Sequence, residues 1–171
     1  YPIGSIIRVK EQHSRDLTEL VLDLVNDQCA IVALPNVLWT NGLRLDLIPI
    51  SQRCKEVGAA LVLDLTQSVG AMNTDLQKID PDFAVVAAYK WLMSPYSTGF
   101  LYVSERHWEG QPIEGNWISR RDGKNFSNLI DYTDLYEDGA IRFDMGERAN
   151  FALLPGSIEA LKQLKRWGIA N

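Results

Sequence analysis

Short apolar runs alternate with stretches of helical periodicity along most of the chain. Leu17, Leu20, Val21 and Leu24 recur at helical spacing, and Asp16-Leu17-Thr18-Glu19 in front of them has the form of a capping box. A helix is therefore expected from Asp16 to about Asn26. The run 30–34 reads as a buried strand stopped by Pro35. A second helix is expected to start near Asp46, to tolerate Pro49 in its first turn and to end at Gly58. A strand over 59–63 follows, then a loop with a short helical stretch to Ile79 and a turn at Asp80-Pro81-Asp82. Further strands are expected over 83–88 and 99–103. Strands alternating with helices imply parallel βαβ units. The expected fold class is α/β, a three-layer α/β/α arrangement around a mostly parallel sheet.

From Glu105 to Gly139 the periodicity is lost, and the stretch is polar and rich in Asp, Asn, Gly and aromatics. A long irregular segment inside a compact domain is usually functional or an interface. Beyond it, Arg148 to Trp167 reads as a helix with Leu153, Leu154, Ile158, Leu161 and Leu164 on one broad face. The 171 residues, 46% hydrophobic and 23% charged, suit a globular domain with a real core. A net charge of −5 without a basic stripe argues against a nucleic-acid partner. No apolar run approaches the roughly 18 residues of a membrane span, and the first residues lack a signal-like apolar stretch. Cys29 and Cys54 make neither a disulfide framework nor a metal site and are expected to be buried free thiols, in keeping with a cytoplasmic protein. The opening residues, without Met, read as mid-protein sequence, so a fragment is expected.

Two apolar strands end in charge. The run over 59–63 delivers Asp64, with Gln67 three residues on, and the run over 83–89 delivers Lys90. In open α/β sheets ligands bind outside the carboxyl ends of the strands. A carboxylate and an amine at that edge are costly to desolvate alone. A cofactor with a ring nitrogen and an aldehyde would use both: the carboxylate keeps the ring nitrogen protonated, and the neutral amine condenses with the aldehyde. The bland alternative is a salt bridge between Asp64 and Lys90. A nucleotide-binding Rossmann-like domain finds no G-x-G-x-x-G and no G-x-x-x-x-G-K-[ST] here.

The linked pattern Asp64-Leu-Thr-Gln-Ser-Val-Gly70, Asp82-Phe83, Tyr89-Lys90-Trp91-Leu92 and Ser94-Pro95-Tyr96-Ser97-Thr98-Gly99-Phe-Leu-Tyr-Val103 resembles the class V aminotransferase family. These are fold-type I pyridoxal-phosphate enzymes, the superfamily of cysteine desulfurases, kynureninases and isopenicillin epimerases. The resemblance is strong from Ala30 to Val103 and looser to Trp167. It implies that Lys90 holds pyridoxal 5'-phosphate as an internal aldimine and moves the substrate's α-proton. It further implies that Asp64 holds the pyridine nitrogen, that Gln67 lies by the ring and its 3-hydroxyl, and that the Tyr89 hydroxyl donates to the phosphate. Trp39 stands where family members often carry Asn against the 3-hydroxyl, which leaves Trp39 or Thr40 to face the site. Ala87 replaces a phosphate-holding Ser, Ser94 and Ser97 replace glycines, and Gly146-Glu147-Arg148 replaces a Gly-Thr-Pro turn.

Residues 1–171 would form the central and C-terminal part of the cofactor-binding large domain. The phosphate-cradling loop is not found before Asp16, and the small domain with its substrate-carboxylate arginine is expected to be absent. The family further implies an amino-acid substrate and a homodimer, with 105–139 as the segment to examine for the subunit contact. Transaminase, lyase and epimerase outcomes remain open. The chain by itself is expected to bind cofactor weakly and turn nothing over, and a scaffold that binds no cofactor alone is the alternative. Trp39, Trp91, Trp108 and Trp117 are expected in packing or interfaces rather than in substrate stacking, His13 and His107 are expected on the surface with no partner at metal or catalytic spacing, and Arg142 could pair with a carboxylate group or equally with Asp144 nearby.

Overall fold

A computed structural model describes residues 4–10, 15–128, 130–131 and 133–169. Helix α1, Leu17–Leu24, begins where the Asp16 carboxylate accepts from the backbone N–H groups of Thr18 and Glu19. It stops at Leu24, short of Asn26, because Val25 turns extended. Helix α2, Leu47–Val57, is capped in the same way by Asp46. It ends at Gly58, whose φ of +75° closes the helix with N–H bonds to Cys54 and Lys55. A short helix α3, Leu76–Ile79, is capped by Asp75 and tied to α2 by a hydrogen bond from the Ser51 hydroxyl to the Ile79 carbonyl.

Four strands form one sheet in the order β1 (Ile31–Pro35), β2 (Ala60–Asp64), β3 (Phe83–Ala87) and β4 (Gly99–Val103). β1, β2 and β3 are parallel, whereas β4 runs antiparallel to β3. The mostly parallel sheet is thus as expected, with strand ends shifted by one residue, so that Asp64 is the last residue of β2. Alternation within the strands divides the sheet into two faces. Val32, Leu61, Leu63 and Ala84 pack against Val21 of α1, Ile50 and Cys54 of α2 and Ile79 of α3. Ile31, Val85 and Leu101 point the other way and are 65%, 41% and 42% exposed. Asp64, paired in register with Val85, lies on this open side.

At the amino edge of the sheet, Asp82 gathers three donors. Its Oδ2 accepts from the Leu61 N–H at 2.7 Å, and its Oδ1 lies 2.8 Å from Arg106 Nε and 2.6 Å from His107 Nε2. Arg106 also reaches Asp80, which pairs with Lys55 from α2. Burial pushes the Asp82 carboxyl up, but Arg106, His107 and the Leu61 amide outweigh it and hold it down at about 2. His107, expected at the surface, is therefore built in, and its ring also stacks on Phe83 at 4.8 Å. Its partner lies 25 residues away in sequence, beyond the reach of a spacing argument. His13 lies outside the described residues.

The segment after β4 is irregular, as expected, with short 3₁₀ turns at Glu105–His107, Trp117–Ser119 and Phe126–Asn128. Arg142 anchors it: it is buried, donates to the carbonyls of Glu137 and Gly110, and approaches the Glu109 carboxylate, while Asp144, the other partner considered for it, pairs with Arg148. Helix α4, Leu154–Trp167, begins later than Arg148. Pro155 in its first turn fixes the start, and Asn150 accepts from the Leu153 N–H ahead of it.

Candidate active site

β2 and β3 lie side by side and parallel, so their carboxyl ends bring Asp64 and the turn after Ala87 to one edge. The connection from β3 back to β4 carries Lys90. It is closed by bonds from the Ala88 N–H to the Thr98 carbonyl and from the Ser94 N–H to the Ala88 carbonyl, both 3.0 Å. The Met93 N–H also returns to the Lys90 carbonyl at 2.9 Å. Ser97, at a glycine position of the family pattern, takes the left-handed φ of +66°. The turn keeps that geometry at a strain of about 1 kcal/mol.

The loop after β2 braces this turn. The Leu65 N–H donates to the Val85 carbonyl, extending the β2–β3 ladder by one bond. The Thr66 N–H donates to Asp64 Oδ1, and the Thr66 hydroxyl accepts from the Ala87 N–H, both at 2.9 Å. Gly70 has a φ of +99°, and a Cβ there would stand 2.6 Å from the Trp91 carbonyl oxygen. The loop and the lysine turn are in backbone contact at that point.

Trp39, Gln67, Lys90 and Trp91 line one open cleft of about 430 Å³. Three of the sequence-derived candidates, Trp39, Gln67 and Lys90, are thus brought together. Asp64, exposed at the end of β2, is not part of that lining. Among the described residues Lys90 and Asp64 make no ion pair with each other, and the Gln67 side chain has no hydrogen bond. Lys90 Nζ instead lies 5.8 Å from the centroid of the Tyr89 ring. Tyr89 stands on the rim, outside the cleft lining, stacked on Tyr96 at 4.5 Å. Thr40 is exposed in the 38–43 turn, apart from the cleft lining.

Trp91 and Trp39, expected in packing or interfaces, are 52% and 80% exposed in this chain and form walls of the cleft. Trp108 and Trp117 do pack: the Trp108 indole donates to the Val103 carbonyl, and Trp117 meets Phe126 edge-on. Cys54 is buried under the sheet, where desolvation pushes its thiol up to about 11, and Cys29 is half-buried. Among the described residues no group of three His, Cys, Asp or Glu is placed to hold a metal. Thr66 and Tyr96 were missed as candidates. The partners that matter for them are a backbone N–H and a ring, each supplied by another part of the fold.

The family model described as aminotransferase class-V matches residues 5–170. Kynureninase from Bacillus anthracis is 30% identical over 164 residues, which are 95% of this chain and 38% of that protein. Kynureninase from Bacillus cereus is 31% identical over 163 residues. The chain spans about 38% of the length of the curated relatives it matches. Among solved structures, the cystine C–S lyase C-DES in complex with cysteine persulfide superposes with a TM-score of 0.77. It is 22% identical, and the match covers 91% of this chain and 40% of that one. Cysteine desulfurase from Thermococcus onnurineus gives a TM-score of 0.72 at 22% identity, covering 88% of this chain and 36% of that one. The fold is that of the fold-type I pyridoxal-phosphate enzymes.

Proposed function

Because the chain belongs to the aminotransferase class-V family, we propose that it is the lysine-bearing part of an enzyme that transforms an amino acid with pyridoxal 5'-phosphate. The observation that carries this reading is the shared cleft of Lys90 and Gln67 beside Asp64, with no ion pair between Lys90 and Asp64. The donor set fits the cofactor: an amine for its aldehyde, a carboxylate for its ring nitrogen and an amide for its 3-hydroxyl. When bound, the cofactor supplies an electron sink for the bond broken at the substrate's α-carbon.

In this reading Lys90 holds the cofactor covalently through Nζ and afterwards carries the α-proton. Asp64 keeps a proton on the ring nitrogen, its Oδ1 oriented by the Thr66 N–H. Gln67 hydrogen-bonds the ring oxygen, and the Tyr89 hydroxyl, without a partner among the described residues, donates to the phosphate. Trp39 and Trp91 flank the amine as walls of the open cleft, and Thr40, on the neighbouring turn, contributes only at the margin. The similarity to kynureninases and the Tyr89-Lys90 pair favour a lyase or aminotransferase over a desulfurase. The whole enzyme acts as a homodimer in the cytoplasm. No described helix is long and apolar enough to cross a membrane.

Mixing the chain with pyridoxal phosphate, trapping with borohydride and mapping the adduct by mass spectrometry tests the reading. Labelling concentrates on Lys90 and vanishes in Lys90→Ala. Labelling spread evenly over surface lysines, unchanged in that variant, would refute it.

A further inference from the structure

We propose that Thr66 is the positioning residue that couples Asp64 to the Lys90 turn and fixes the spacing between carboxylate and amine before any ligand enters. The inference rests on the reading of Asp64 and Lys90 above. Its basis is a pair of hydrogen bonds made by one residue to both arms of the site. Through its N–H, Thr66 holds Asp64 Oδ1 at 2.9 Å. Through its hydroxyl, it accepts the Ala87 N–H at 2.9 Å.

Ala87 is the last residue of β3, and only Ala88 and Tyr89 separate it from Lys90. On its other side Ala87 pairs with Gly99 of β4. Toward β2 the regular ladder ends at the pairing of Asp64 with Val85. The Thr66 hydroxyl therefore supplies the acceptor that the ladder no longer provides. Thr66 is 9% exposed, so water does not readily take that place. Its branched Cβ restricts χ1 and holds the hydroxyl in position. Asp64 Oδ2 has no hydrogen-bond partner among the described residues and stays available to a ring nitrogen.

The test uses Thr66→Val, which keeps the shape and removes the acceptor, and Thr66→Ser, which keeps the acceptor. In the unloaded chain, hydrogen exchange at the Ala87 amide rises about tenfold in Thr66→Val and stays near the unsubstituted rate in Thr66→Ser. The second readout compares borohydride-trapped labelling of Lys90 by salicylaldehyde and by its aza analogue, which differ only in the ring nitrogen. The preference for the aza compound falls about fivefold in Thr66→Val and is restored in Thr66→Ser.

Unchanged exchange at Ala87 in Thr66→Val would overturn the proposal. So would an equal loss of labelling by both aldehydes, which marks a brace with no bearing on the ring nitrogen, or a failure of Thr66→Ser to restore the preference. An unsubstituted chain that is never labelled at Lys90 would refute the functional reading instead, while the Ala87 exchange still decides whether Thr66 ties the two strands.

Discussion

At residue 70 a side chain has no room. A Cβ would meet the Trp91 carbonyl at 2.6 Å, and the φ of +99° is one that other residues rarely adopt. Gly70→Ala should therefore force the loop after β2 away from the lysine turn at a cost of about 1–3 kcal/mol. A lower urea midpoint together with weaker labelling of Lys90 checks this. Asp64, Gln67 and Lys90, the residues proposed to carry the chemistry, could be picked out from the sequence because Asp64 and Lys90 each close an apolar run that reads as a buried strand, with Gln67 three residues beyond the first. Thr66 could not, because its role depends on an N–H of a strand 21 residues away. Whether Trp91 is exposed or packed could not be read either, because both kinds of tryptophan have the same sequence signal and only the position of the turn separates them.

Among the elements, the amino edge of the sheet is held by the Asp82 knot, which joins β2, β3 and the turn after β4. Its carboxyl sits at about 2 in the folded chain against an ordinary 3.8. A depressed carboxyl contributes stability above its unfolded value and loses it as pH falls through the folded one. Thermal stability should thus drop between about pH 4 and pH 2. Asp82→Asn should flatten that limb and cost about 1–3 kcal/mol at neutral pH, since it removes the charge that Arg106 and His107 face. Urea titrations across pH measure both effects. Helix starts at Asp16 and Asp46 and the stop at Gly58 could be read from sequence because caps are local. The start of α4 could not: apolar periodicity continues through Leu153, and the position is fixed by Pro155 and Asn150.

For the molecule as a whole, the sheet has one face packed by α1, α2 and α3 and an opposite face on which Ile31, Val85 and Leu101 stand exposed. Exposed apolar side chains on an open sheet face favour association. Leu101→Lys should lower concentration-dependent self-association in sedimentation experiments while changing the unfolding free energy by no more than about 0.5 kcal/mol. The reversal of β4 also has a consequence for how the molecule assembles. Pairing Ala87 with Gly99 closes a shorter stretch of chain than pairing Ile31 with Ala60 or Val62 with Phe83. Shorter loops lose less entropy on closing, so the hairpin that carries Lys90 is the cheapest part of the sheet to nucleate. Substitutions in β3 and β4 should then slow refolding, whereas those in β1 should chiefly speed unfolding. The lysine would be in its turn before the aspartate arrives beside it.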